Sequence, residues 1–156
     1  MKPAIKSTAK LSRKIIKELA KSEGYKLKGE HKKAADLAEK LLMQDPECAE
    51  AAEELADNLL SLEKYEAAKK AALHVLVLKK TSYIAHFVLG FLASHQEDWK
   101  LSVEHFRKSN DCQSNNPEIL RCLGWALFHN HDHAGGIATL QRGLFLRPDD
   151  VAILSD

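Results

Sequence analysis

Three imidazoles stand within five residues, in the run His129-Asn130-His131-Asp132-His133. Imidazole nitrogens bind divalent transition ions, so this is where the sequence concentrates metal ligands. The run has no cysteine partner and none of the spacings of zinc sites, and it straddles a helix end and a turn. It reads as a polar surface turn, and no metal is expected. The cysteines, Cys48, Cys112 and Cys122, are odd in number and none lies in a CxxC pair. That points to reduced thiols in a reducing compartment. A reactive thiol needs a lowered pKa and access. Arg121 adjoins Cys122, but sequence neighbours on a helix point apart, so Cys122 reads as a packing residue.

A second chemical feature is the basic head, Lys2, Lys6, Lys10, Arg13, Lys14 and Lys17. Such a run can meet phosphates or an anionic membrane surface. No aromatic residue is interleaved before Tyr25, so base stacking has no support, and the head reads as a solvated arm. Residues 1–33 carry 11 Lys/Arg against 3 Glu, whereas the rest carries 12 against 19 Asp/Glu. A basic head on an acidic body is the charge feature to explain. The net charge of +1 gives no global pull toward nucleic acid.

The chain has no nucleophile elbow, no phosphate-cradling glycine loop, no zinc-protease helix and no paired carboxylates with a defined pocket. Neither an enzyme nor a cofactor protein is expected. No apolar run approaches the roughly 18 residues of a membrane helix, and no apolar stretch follows the first lysines as a secretory signal requires. The expectation is a cytoplasmic protein without membrane insertion. Its 156 residues, 45% apolar and 29% charged, fit one ordinary globular domain.

The elements that would position these residues are helices. Apolar residues recur at helical spacing, as in Leu37, Leu41, Leu42 and Leu55, Leu59, Leu60, Leu62, and no stretch sustains two-residue alternation. The pattern also repeats. Gly90 and Gly124, Tyr65 and Trp99 each stand 34 residues apart, and Pro46 and Pro148 stand three such periods apart. The period divides the chain into blocks 15–48, 49–82, 83–116 and 117–150.

Aligned blocks show columns. Ser22, Ala56, Gly90, Gly124 and Ala34, Ala68, Ser102, Gly136 are small in every block. Small residues let helices approach closely, so these columns predict helix crossings. Between them runs a large column, His31, Tyr65, Trp99, His133, and after them Leu42, Leu76, Leu144, broken by Asn110. Each block therefore encodes two helices of about 13 residues. The predicted turns are Gly29-Glu30, Glu63-Lys64, Glu97-Asp98 and Asp132-His133. A frayed arm is expected over residues 1–11 and a helix start near Ser12, so that residues 1–14 form a basic N-terminal arm or helix extension ahead of the repeats. Residues 151–156 read as the truncated start of a further helix. One such pair cannot bury its apolar face alone, and stacking supplies the core.

The 34-residue period, the Leu-Gly pairs at 89–90 and 123–124, the Trp99…Ser102…Phe106 spacing and the closing Pro46 and Pro148 resemble tetratricopeptide repeats. The resemblance spans residues 15–150. It departs at Lys21, where the family has Leu, and at Lys80 and Ser114, which replace the closing proline. It implies an all-α right-handed superhelix of about four helix-turn-helix repeats, with a concave groove lined by the first helices.

On that resemblance the groove residues are Glu50, Glu53, Glu54 and Asp57 in the second block. Ile84, Phe87, Val88 and Phe91 follow in the third, and Glu118, Arg121, Cys122, Trp125 and His129 in the fourth. Spacings of three and four put each set on one side of its helix. Phe87, Phe91 and Trp125 either pack between repeats or stay open as anchors for a partner. The acidic set either is a solvated face or favours a basic segment. Family members that hold chaperone tails carry a Lys/Asn/Arg clamp. Here those places are Leu19, Glu23, Glu54, Ile84 and Val88, so tail binding is not expected. The implied function is an adaptor, scaffold or chaperone-like module that binds a protein or peptide partner. The alternative is a subunit that self-associates into a homo-oligomer through uncapped repeat ends.

Overall fold

The register of the small columns becomes a register of helices in the computed structural model, which describes residues 12–146. The helices are α1 (Arg13–Leu27), α2 (His31–Gln44), α3 (Ala49–Ser61), α4 (Tyr65–Leu78), α5 (Tyr83–His95), α6 (Trp99–Cys112), α7 (Pro117–His129) and α8 (His133–Leu146). No strand occurs among the described residues. Most of the expected arm, the closing Pro148 and the further helix at 151–156 lie outside the described residues. Ser12 lies inside them and caps α1 by accepting from the Ile15 amide at 3.2 Å.

Four helix pairs result, divided between two compact units at Lys80 and Thr81. In the first unit α1 to α4 pack in sequence, with α1 also touching α3. In the second α5 to α8 do the same, with α5 also touching α7.

Each pair turns by one device. Gly29, Glu63, Glu97 and His131 all have positive φ, at 76°, 59°, 61° and 68°. At each, two backbone bonds close the helix end. In the first pair Gly29 N–H donates to Lys26 O at 2.9 Å and Glu30 N–H to Tyr25 O at 2.8 Å. The same two bonds recur from Glu63 and Lys64, from Glu97 and Asp98, and from His131 and Asp132. This is the Schellman closure, in which the left-handed residue lets the last carbonyls find donors. Only the first turn uses glycine. The fourth turn corrects the sequence reading by one residue: it is His131-Asp132, and His133 begins α8. Asp132 caps that helix, accepting from the Gly135 amide at 2.9 Å.

The two small columns meet as crossings twelve residues apart. Ser22 Oγ donates to Ala34 O at 3.1 Å, and Ser102 Oγ to Gly90 O at 2.9 Å. In the last pair both positions are glycine. A Cβ on Gly136 would lie 2.7 Å from Gly124 O and 2.8 Å from Phe128 N, so only hydrogen fits between these backbones. The cores around the crossings differ. The first unit packs Leu41, Cys48 and Ala51 with Ile15, Leu19 and Leu42. The second packs Val103, Phe106, Leu123, Ala126 and Leu127, with Phe87, Phe91, Trp99 and Cys122 against them.

Candidate functional site

In the first unit the acidic residues of α3 divide: Glu50 in the first turn is exposed, whereas the others are not a bare solvated face. Glu53 and Glu54 are buried, at 6% and 9% exposure, and Asp57 is half-buried. Lys26, in the last turn of α1, reaches across to Glu54 Oε1 at 3.2 Å and Asp57 Oδ2 at 3.4 Å. Lys79 Nζ lies 3.8 Å from Glu53 Oε1. Asn58 ties the cluster down, donating to Glu54 O at 2.7 Å and Glu54 Oε2 at 3.4 Å, while its Oδ1 meets His31 Nδ1 at 3.0 Å.

The protonation behaviour follows from depth. Burial opposes the Lys26 charge, but Glu54 and Asp57 outweigh it and raise the lysine pKa. Glu54 sits deeper, so burial outweighs its attraction to Lys26 and raises the carboxyl pKa. The cluster thus holds a basic group that two carboxylates share.

In the second unit the corresponding faces are aromatic. Phe87 and Phe91 are half-buried, and Phe87 lies tilted against Phe106 at 5.6 Å between ring centroids. Ile84 is half-buried, whereas Val88 is sealed at 0% exposure and belongs to the core. On α7, Trp125 and His129 are half-buried and in edge contact at 4.5 Å. Trp99, the first residue of α6, stacks on His129 at 4.4 Å. His129 is thereby held between two indoles. Arg121 pairs with Glu118 at 2.9 Å, one turn apart on the same helix.

The three imidazoles of the fourth turn go different ways. His129 joins the indoles, His131 is exposed in the left-handed turn, and His133 stacks on Phe128 at 4.5 Å. Among the described residues no three His, Cys, Asp or Glu side chains form a metal-binding group. Cys48 is buried, and burial first of all pushes its thiol pKa up. No helix among the described residues is long and apolar enough to cross a membrane.

Two participants escaped the sequence reading of these faces, Lys26 and Trp99. The imbalance between a basic head and an acidic body was the signal for Lys26, because α1 packs on α3. Trp99 stood in the large column of the repeat but was not assigned to a face.

No protein-family profile matches the chain, and no curated protein matches it in sequence. Solved structures match its fold. MamA from Desulfovibrio magneticus RS-1 superposes with a TM-score of 0.73 at 17% identity, over 92% of this chain and 81% of that one. Pseudomonas aeruginosa PilF gives 0.73 at 16% identity, over 87% and 62%. The Cut9–Hcn1 hetero-tetramer of the APC/C gives 0.74 at 20%, over 86% of this chain and 26% of the matched one. These are tetratricopeptide-repeat proteins, and the eight helices in four successive hairpins have that all-α repeat fold.

Proposed function

We propose that the protein is a non-catalytic interaction module of the cytoplasm that binds a segment of a partner protein on the faces of its first helices. The observation that carries this reading is the aromatic set of the second unit. Phe87, Phe91 and Trp125 remain half-buried, neither sealed in the core nor fully wet, and His129 is pre-positioned between Trp125 and Trp99. Rigid, partly open rings are what a binding hot spot uses, since little side-chain entropy is left to lose. Arg121 and Ile84 flank the rings, and apolar side chains of the partner are their complement.

In the first unit Glu53, Glu54 and Asp57 supply charge selection. Lys26 already occupies Glu54 and Asp57 in the way a partner's Lys or Arg would. A basic segment competes with it, and the acidic face contributes selectivity more than affinity. The same fold occurs in the Cut9–Hcn1 assembly, where the matched chain stands with other chains.

The test is selection of random peptides on the wild-type chain, followed by titration with Trp99 and Trp125 fluorescence as readout. Selected peptides should lose most of their affinity with Phe91→Ala plus Trp125→Ala. Unchanged affinity in that variant sinks the assignment.

A second reading has its own observation. Helix α8 exposes Phe145, at 84%, and more modestly Ile137 and Leu146, which lie on different sides of it. The exposed Phe145 ring favours self-association into a homo-oligomer. Light scattering should then show a mass that rises with concentration and falls with Phe145→Ser. A strict monomer at high concentration removes this reading.

A further inference from the structure

Away from both faces, two histidines from different helices meet inside the second unit. His86 lies in the first turn of α5 and His105 in the middle of α6, 19 residues later. Their Nδ1 atoms are 3.4 Å apart, their ring centroids 5.7 Å apart, and their planes differ by 28°. His86 is buried at 8% exposure and His105 is half-buried, so solvent reaches the pair from the His105 side.

Facing Nδ1 atoms share a single small centre. It is a proton when one ring is the Nδ1–H tautomer and the other accepts. The same geometry suits a metal ion. Two imidazole ligands at the usual Zn–N length, about 2.0–2.1 Å, in a tetrahedral shell stand about 3.4 Å from each other.

We propose that His86 and His105 form a two-imidazole site for a divalent first-row transition ion of the zinc class, bound through both Nδ1 atoms. Among the described residues no group of three or more His, Cys, Asp or Glu could hold an ion, so the two imidazoles are the ligands the proposal rests on. Ligation requires neutral imidazole. An ion there would tie α5 to α6 across the hairpin whose crossing is Gly90 and Ser102.

Zinc chloride titrated into the chelator-treated full chain tests this, by calorimetry and by long-range proton–nitrogen NMR of the imidazoles. One zinc should bind, moving the Nδ1 signals of His86 and His105 and leaving those of His129, His131 and His133 in place. His105→Gln should weaken binding by about tenfold or more, and His131→Gln should leave it unchanged. The NMR readout on the wild type decides the matter even if His105→Gln fails to fold. The proposal is overturned if no imidazole signal moves at millimolar zinc, if the moving signals belong to the 129–133 turn, or if His105→Gln binds zinc as tightly as the wild type.

Discussion

The two units use the same repeat to present opposite chemistry. At positions one period apart stand Glu53 and Phe87, Glu54 and Val88, Asp57 and Phe91. In the first unit this stripe is carboxylates held by Lys26 and Lys79. In the second it is the sealed Val88 and two rings, Phe87 and Phe91, that pack against the core containing Val103 and Phe106. The backbone device does not change: both units have the small crossings and the left-handed turns. The repeat is therefore carried by the positions where helices cross and turn. The stripe between them is free to vary, and that freedom separates fold from specificity.

The sharpest way to break this view is at the crossings. Gly136→Val forces a side chain between two backbones, at 2.7 Å from Gly124 O before its methyl groups are counted. It should cost about 3 kcal/mol or more in chemical denaturation. Its counterpart Ala68 already carries a Cβ and is fully buried. A negligible cost for Gly136→Val would mean that the crossings do not fix the hairpins.

Next in size is the ionic cluster. Lys26→Met leaves Glu54 buried without its cation and should cost about 2 kcal/mol near neutral pH. Glu54 already has a raised pKa, and losing Lys26 raises it further. A carboxyl whose folded value exceeds its unfolded value destabilises the charged fold. The penalty is present above the folded value and disappears below the ordinary glutamate range. The deficit of Lys26→Met should therefore shrink as pH falls to about 4. The contribution of Lys26 itself, whose pKa is also raised, holds below the ordinary lysine value and is lost as pH climbs through the raised one. A deficit that grows on acidification contradicts the assignment of Glu54.

Smaller still is the serine pair. Ser22→Ala and Ser102→Ala each remove one buried hydroxyl bond at equivalent crossings in the two units. Each should cost about 1 kcal/mol. The equivalence of the two crossings predicts similar losses, measured by denaturant midpoint at constant slope. The smallest effect is at a turn. Glu97→Gly relieves a left-handed non-glycine residue and should gain about 0.5 kcal/mol.

How much of this was legible in the sequence depends on range. The crossings, the number of hairpins and the starts of the second helices in the first three hairpins follow from residue size at one fixed spacing, a local property of the chain. The fourth turn was misread by one residue because His133 resembles a turn residue, whereas its column partners Tyr65 and Trp99 open helices. The stripe positions were visible, but their environments were not. Val88 sits at the face spacing and is nevertheless sealed, because α5 is apolar on more than one side. Glu54 and Asp57 find Lys26 only once α1 lies beside α3, across 28 and 31 residues. Likewise His86 and His105 meet only through the α5–α6 crossing. Pairings of that kind depend on side-chain reach between helices, which helical periodicity does not encode.

The most direct test of the central claim is affinity for a selected peptide in three proteins: the wild type, Phe91→Ala plus Trp125→Ala, and Met43→Ala on an exposed side of α2. The account predicts loss of binding in the double variant alone, with Met43→Ala indistinguishable from wild type. Equal binding by all three proteins, or loss only with Met43→Ala, would contradict it.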